Sequence, residues 1–187
     1  MLWNGYPEPP VEQYESFVNK LHIGGIENKT EAAMALSHFI WESGGLLAKR
    51  EFVCIKNGCP GSYETPNCDV EGQRYYGRGY IQLTWCPNYR DASEYLYGSD
   101  VLVYEPDIVA QYEAVAWETA FWYWRTYVHG KPGVDMGFFG VTTRAINGDQ
   151  ECGGGSEDNA RTRFELYKTV RLAFGLSIVA DERGCYS

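Results

Sequence analysis

The sequence predicts a mainly helical α+β domain with one small irregular, β-containing lobe. Three observations carry that prediction. Apolar residues recur at 3-to-4 spacing in several long segments. Residues 53–74 are rich in Gly, Pro, Asn and Cys and have no period. No internal repeat, low-complexity tract or Pro/Ser-rich linker divides the 187 residues, so one domain over 1–187 is expected, long enough to bury a sizeable core.

The first strong helix covers residues 30–43, where Ala33, Leu36, Ile40 and Trp41 keep helical spacing; Thr30 is the expected N-cap and Gly44-Gly45 the stop. Asn28-Lys29-Thr30 also spells a glycosylation sequon, which a capping motif can do by coincidence. Residues 53–74 read as a disulfide-pinned loop, and loops of that length are usually functional. Residues 79–85 read as a turn with a short extended piece, and 89–97 as a helix. Over 112–128, Val115, Ala116, Thr119, Ala120, Trp122, Tyr123 and Tyr127 stand so densely that this helix is expected to be central and buried on most sides. A further helix covers 139–146 and stops at Asn147-Gly148, and the last runs over 158–174 with Gly175 behind it.

Composition excludes several functions. Lys plus Arg number 16 against 25 Asp plus Glu, a formal charge of -9, so a phosphate backbone would be repelled and no nucleic-acid partner is expected. No apolar run approaches the roughly 20 residues that span a bilayer, so no membrane partner is expected either. Residues 1–10 lack a basic region followed by an apolar one, so the signal of a secreted protein is expected to be removed or replaced here. Six cysteines (54, 59, 68, 86, 152 and 185), four of them within 33 residues, read as disulfides formed in an oxidising, extracellular compartment. No pair has C-x-x-C spacing and His22, His38 and His129 supply no ligand pattern, so neither metal nor cofactor is expected. Aromatic residues make up 16% of the chain; most serve the core, although flat rings also suit the apolar faces of sugars.

Glu42 and Glu51 are the candidate chemistry-bearing pair. On one continuous helix, nine residues would set them about 180° apart and about 13.5 Å along the axis, facing away from each other. The glycine pair ends the helix after Glu42 instead and lets the chain turn, so Glu51 can swing back across a gap. Two carboxyls across a gap of about 6.5 to 9.5 Å are what an inverting glycosidase needs, one protonating the leaving oxygen and the other activating water on the opposite face.

Further stretches extend this site. Glu42-Ser43-Gly44-Gly45 with Glu51, the run Tyr75-Tyr76-Gly77-Arg78-Gly79-Tyr80-Ile81-Gln82-Leu83-Thr84-Trp85, Asn88-Tyr89, and Ala145-Ile146-Asn147-Gly148 with Glu151-Cys152 resemble, in that order, the motifs of the family 19 chitinases. Ala116-Trp117-Glu118-Thr119-Ala120-Phe121-Trp122-Tyr123-Trp124 is similar to that family's aromatic central helix, and Arg163 with Tyr167 to its C-terminal helix. The resemblance runs over residues 30–187; the Tyr-Tyr-Gly-Arg-Gly segment is its most specific part and a lone Ile-Asn-Gly its weakest.

The resemblance implies a lysozyme-like, two-lobed domain with a substrate cleft between the lobes, and an endo-acting, inverting enzyme cutting β-1,4 links between N-acetylglucosamine units. It implies Glu42 as general acid, Glu51 as general base and Thr84 as the hydroxyl that helps hold the water. Gln82, Asn88 and Asn147 match substrate-contacting amides, Tyr75 and Trp85 join them on the binding surface, and Glu151 with Arg163 matches an ion network that tunes the acid. Cys152 and Cys185 match the family's C-terminal disulfide; Cys54, Cys59, Cys68 and Cys86 leave three pairings open. The implied partner is chitin or a chitooligosaccharide, met by a monomer. Peptidoglycan, chitosan, or silent chitin binding without turnover are the alternative readings.

Two positions depart from the family pattern. Trp41 stands where a His usually precedes the acid, and is expected to pack beneath the acid or stack on sugar. Tyr80 stands where Pro usually follows Gly-Arg-Gly, and is expected to lengthen an aromatic floor.

Overall fold

The computed structural model describes residues 8–186. Of the amino-terminal stretch considered above, residues 1–7 lie outside them. The fold is mainly helical. In chain order the α-helices are α1 (Val11–Lys20), α2 (Lys29–Glu42), α3 (Cys86–Tyr97), α4 (Val101–Tyr104), α5 (Ile108–Gln111), α6 (Glu113–Tyr123), α7 (Phe139–Glu151) and α8 (Glu157–Ala173). Among the described residues the β content is limited to isolated bridges: Arg50 with Arg78, Arg78 with Leu83, and Phe138 with Asp181. No helix is long and apolar enough to cross a membrane among the described residues.

The chain divides into two compact units. One takes Leu21–Trp41 and residues 124–186; the other takes Pro9–Lys20 and Glu42–Tyr123.

In the first unit Asn28, and not Thr30, caps α2: its Oδ1 accepts the Glu31 N–H at 2.9 Å, and Thr30 lies inside the first turn. The sequon is thus a working cap. The central helix is not α-helical to residue 128, because after Tyr123 the chain widens into a π-helix over Trp124–His129. Glu31, 4% exposed, accepts Trp124 Nε1–H at 2.9 Å and contacts His129 Nδ1 at 2.7 Å on the same oxygen. A turn closed by i to i+5 bonds brings two residues five apart round to one side, where they can share that partner.

Phe139 stacks between His38 at 4.7 Å and Tyr167 at 4.4 Å, and with Met34, Phe39 and Trp124 belongs to the buried core of this unit. The expected stop at Asn147-Gly148 is a kink: α7 breaks at Asn147 (φ -145°, ψ 32°) and resumes to Glu151. Cys152–Cys185 forms as the resemblance implied. It closes a 34-residue loop, which the chain-entropy model values at about 3.8 kcal/mol.

The second unit is built on α6. Trp117, Ala120 and Phe121 are fully buried, and Phe17 of α1 packs on Trp117 and Phe121 at 5.3 and 5.5 Å. Disulfides Cys54–Cys59 and Cys68–Cys86 settle the open pairing and pin the irregular segment. Arg78, 2% exposed, locks that segment onto the helices: Nε donates to Asp107 at 2.8 Å, Nη1 to the Arg74 carbonyl at 2.8 Å and to Tyr89 Oη at 3.0 Å, and the guanidinium lies 3.8 Å over the Tyr76 ring. Burial opposes the Asp107 charge, but Arg78 and Arg50 outweigh it and hold the carboxyl below its usual range.

Candidate active site

The site begins with the connector between the two glutamates. α2 ends at Glu42, the first residue of the second unit on this stretch. Ser43 Oγ accepts the Leu46 N–H at 3.0 Å, and the Ser43 carbonyl accepts the N–H groups of Leu47 and Ala48 at 3.2 and 2.9 Å. Gly44, Gly45 and Leu46 all have left-handed φ values, 58°, 88° and 63°. Two glycines make such a run affordable, and the Ser43 bond holds Leu46 where a side chain is unfavourable. The chain then turns into an antiparallel pair in which Gly79 N–H donates to the Lys49 carbonyl at 3.0 Å and Glu51 N–H to the Gly77 carbonyl at 2.8 Å. Glu42 and Glu51 therefore lie on opposite sides of a turn rather than on one helix.

Each oxygen of the Glu51 carboxylate has its own donor. Tyr63 O–H reaches Oε1 at 2.9 Å and Gly77 N–H reaches Oε2 at 3.1 Å, which together fix the plane of the group. Burial, then the bond to Glu51 and its charge, raise the Tyr63 pKa, so its hydroxyl keeps the proton it donates. Sequence reasoning missed Tyr63. It sits at φ 58° inside the disulfide-pinned loop, where no period or motif marks it.

The Tyr75–Asn88 segment, bonded to Glu51 through Gly77, supplies the other expected residues of this unit. Gln82 lies across Gly77: a Cβ at 77 would come within 2.8 Å of Gln82 Oε1, so only glycine leaves the amide where it is. Gln82 Nε2 donates to the Gly79 carbonyl at 3.0 Å, and Asn88 Nδ2 to the carbonyl of half-buried Thr84 at 2.8 Å. Trp85, 45% exposed at φ 70°, presents its indole with the Tyr63 ring set edge-on at 5.3 Å. Tyr75 lies differently: 1% exposed, it donates its hydroxyl to the Val103 carbonyl at 2.8 Å, and its own carbonyl accepts the Trp85 N–H at 2.9 Å. Its position supports the segment from within the core.

Tyr80 is also inside. It is fully buried, and its hydroxyl donates to Glu113 at 2.6 Å while accepting from Gln13 Nε2 at 2.7 Å, so it extends no aromatic floor.

The remaining expected residues belong to the first unit. Arg163 and Glu151, 2% and 1% exposed, form a bidentate pair with both bonds at 2.8 Å, and Asn147 Nδ2 donates to Glu151 Oε1 at 2.7 Å. Arg163 Nη1 also meets His38 Nδ1 at 3.3 Å, while His38 Nε2 meets Thr142 Oγ1 at 2.8 Å. Burial, then the Arg163 charge, holds the His38 pKa well below its ordinary value, so the ring is neutral, with Nδ1 accepting and Nε2 donating. Trp41 is half-buried with the Arg163 guanidinium 5.4 Å from its ring centroid. Its aromatic face is thereby engaged with a cation.

Among the described residues, the two clusters of side chains that metal chemistry could draw on, Glu51 with Cys54 and Cys59 and Cys68 with Asp69 and Cys86, have their sulfurs in disulfides, which offer no thiolate.

The glycoside hydrolase family 19 model, described as chitinase class I, matches residues 23–137. An endochitinase of Arabidopsis thaliana is 40% identical over 153 residues, covering 82% of this chain and 51% of the relative. The chain spans about half the length of the curated relatives it matches. Among solved structures, chitinase C from Streptomyces griseus superposes with a TM-score of 0.70 at 28% identity, over 91% of this chain and 86% of that one. A class IV family 19 chitinase from Zea mays superposes with a TM-score of 0.73 over 98% and 92% of the two chains; at 22% identity that likeness bears on the fold alone. The fold is the mainly helical, lysozyme-like one of those enzymes, and on the strength of the family match the chain belongs to glycoside hydrolase family 19.

Proposed function

We propose that this chain is the single catalytic domain of an endo-acting, inverting chitinase that acts as a monomer in an oxidising, extracellular compartment. Glu42 is the general acid and protonates the glycosidic oxygen as it leaves. Glu51 is the general base and takes a proton from the water that attacks the anomeric carbon from the opposite face, so a β-link yields an α-product. The observation that carries the reading is the Glu51 carboxylate, fixed by Tyr63 and Gly77 at the far end of a glycine turn that starts at Glu42. A base whose plane is held by two donors meets its water with little reorganisation. Thr84 adds the hydroxyl that helps hold the water, and the exposed Trp85 indole offers an apolar face to a sugar ring. Gln82, Asn88 and Asn147 offer amide donors and acceptors to acetamido and hydroxyl groups. Arg163, fixed by its pair with Glu151, lies over the ring of Trp41, the residue bonded to the acid.

The test is incubation with chitin hexasaccharide while the product anomers are followed by proton NMR. Early α-anomer is expected, with hydrolysis abolished and binding retained in Glu42→Gln. Glu51→Gln is expected to lose turnover and to regain it with azide as an inverted glycosyl azide. Intact hexamer that nonetheless binds would overturn the enzyme reading.

A further inference from the structure

We infer that Gln13, Tyr80 and Glu113 are positioning residues for the reaction, gripping the connector between Glu42 and Glu51 at two points and making the rate depend on α1. This rests on the function proposed above. The three side chains form one chain of bonds within the second unit. Gln13 Nε2 donates to Tyr80 Oη at 2.7 Å and to the Leu46 carbonyl at 3.1 Å. Tyr80 O–H donates to Glu113 Oε1 at 2.6 Å, where Trp117 Nε1–H also arrives at 2.8 Å. Lys49 Nζ donates to Glu113 Oε2 at 2.9 Å. The grip therefore falls on Leu46, four residues after Glu42, and on Lys49, two residues before Glu51.

The direction of each bond follows from chemistry. Burial, then the bond to Glu113, raises the Tyr80 pKa, so the hydroxyl keeps its proton, donates it to the carboxylate and must accept from the amide. The Gln13 side chain is thereby fixed with Nε2 toward both Tyr80 and Leu46. The ring of Tyr80 lies 4.2 Å from that of Trp117, so its hydroxyl has a single place to be.

The connector relies on hydrogen bonds rather than on packing to keep this geometry. It contains a glycine pair, and Leu47 and Ala48 are exposed, so little apolar burial fixes it. A displacement of about 1 Å at a catalytic group can reduce rate about 100-fold. Gln13 lies before residue 23, where the family model begins to match.

The experiment combines Tyr80→Phe, Gln13→Leu and their double variant in the full chain with Leu102→Val, a fully buried position of the same unit outside the cluster. Hydrogen exchange of the amides of residues 44–51 and steady-state kinetics on chitin hexasaccharide are read well below each melting temperature. Tyr80→Phe and Gln13→Leu are each expected to speed exchange over 44–51 and lower kcat 10- to 100-fold with KM within about threefold, the double variant adding little. Leu102→Val is expected to lose melting temperature while keeping kcat and the exchange pattern of the connector. Unchanged exchange over 44–51 in Tyr80→Phe overturns the inference whether or not the wild-type chain cleaves. Loosened exchange with wild-type kcat overturns it as well. A wild-type chain that cleaves nothing overturns the chitinase reading, and with it the dependence of rate on α1.

Discussion

Replacing Glu151 by Gln strikes the most deeply buried ion pair of the first unit. Glu151 and Arg163 are 1% and 2% exposed, share two bonds of 2.8 Å, and Asn147 adds a third contact of 2.7 Å to the same carboxylate. Glutamine keeps the volume but sets an NH2 group against donors from Arg163 or Asn147 and leaves the guanidinium without its counter-charge. Breaking a buried pair in this way costs about 3–5 kcal/mol. For a chain of this size each kcal/mol shifts Tm by about 2–4 °C, so the drop is expected to be about 6–20 °C. Arg163→Met should cost about as much for the mirror-image reason, an uncompensated carboxylate. Glu151→Met combined with Arg163→Met should recover part of the loss, because no charge remains buried, short of the roughly 1–3 kcal/mol for each of the two groups it strands, the Asn147 amide donor and His38 Nδ1. Differential scanning calorimetry at pH 7 on the two singles and the double reads all three numbers. Single variants that lose less than about 2 °C, or a double variant no better than either single, would refute the reasoning.

Two further expectations concern single side chains. Tyr63→Phe removes one of two donors to the Glu51 carboxylate; a bond to a charged group is worth about 1.5–3 kcal/mol, so kcat should fall about 10- to 150-fold with KM little changed, and a loss below twofold on hexasaccharide would refute the assignment. His38 is held neutral in the folded chain while the unfolded chain protonates near pH 6.5. Below that pH the unfolded state binds more protons, so folding stability should fall on acidification by up to about 1.4 kcal/mol per pH unit through this residue. Urea melts between pH 6.5 and 5 should show a steeper loss in wild type than in His38→Asn, and equal slopes would sink the argument.

What was legible in the sequence and what was not separates along physical lines. The long helices could be read because their apolar periods face the core, as with Ala33 in α2 and Ala116 and Ala120 in α6. Helix α1 escaped because its pattern points the other way: Val11, Tyr14 and Val18 are exposed, while Gln13 and Phe17 are buried. Its inner face is chosen by a hydrogen bond as much as by hydrophobicity. The end of α7 was misplaced because Asn147-Gly148 carries the composition of a stop, yet the Asn147 amide bonds to Glu151 one turn on and the helix resumes after the kink. The π-helix leaves no compositional trace, since what selects it is one buried carboxylate serving Trp124 and His129 together. At the candidate site, the glycine turn between Glu42 and Glu51 could be read; Tyr63 could not, because the disulfides and a left-handed φ, rather than a repeat, bring it to Glu51.

The two departures from the family pattern carry the same lesson into function. An aromatic residue beside the proposed site invites a stacking role on sugar, yet Trp41 and Tyr80 both turn to charged groups of their own unit: Trp41 to Arg163, Tyr80 to Glu113. A tyrosine at zero exposure can persist only with its hydroxyl satisfied. Tyr80 therefore requires Glu113 to accept and Gln13 to donate, and Gln13 reaches it only because α1 packs Phe17 onto Trp117 and Phe121. The Tyr80 hydroxyl thus ties α1 to the support of the connector. Specificity changes sought at position 80 should for that reason be read through residues 13, 49 and 113 before any contact with sugar is invoked.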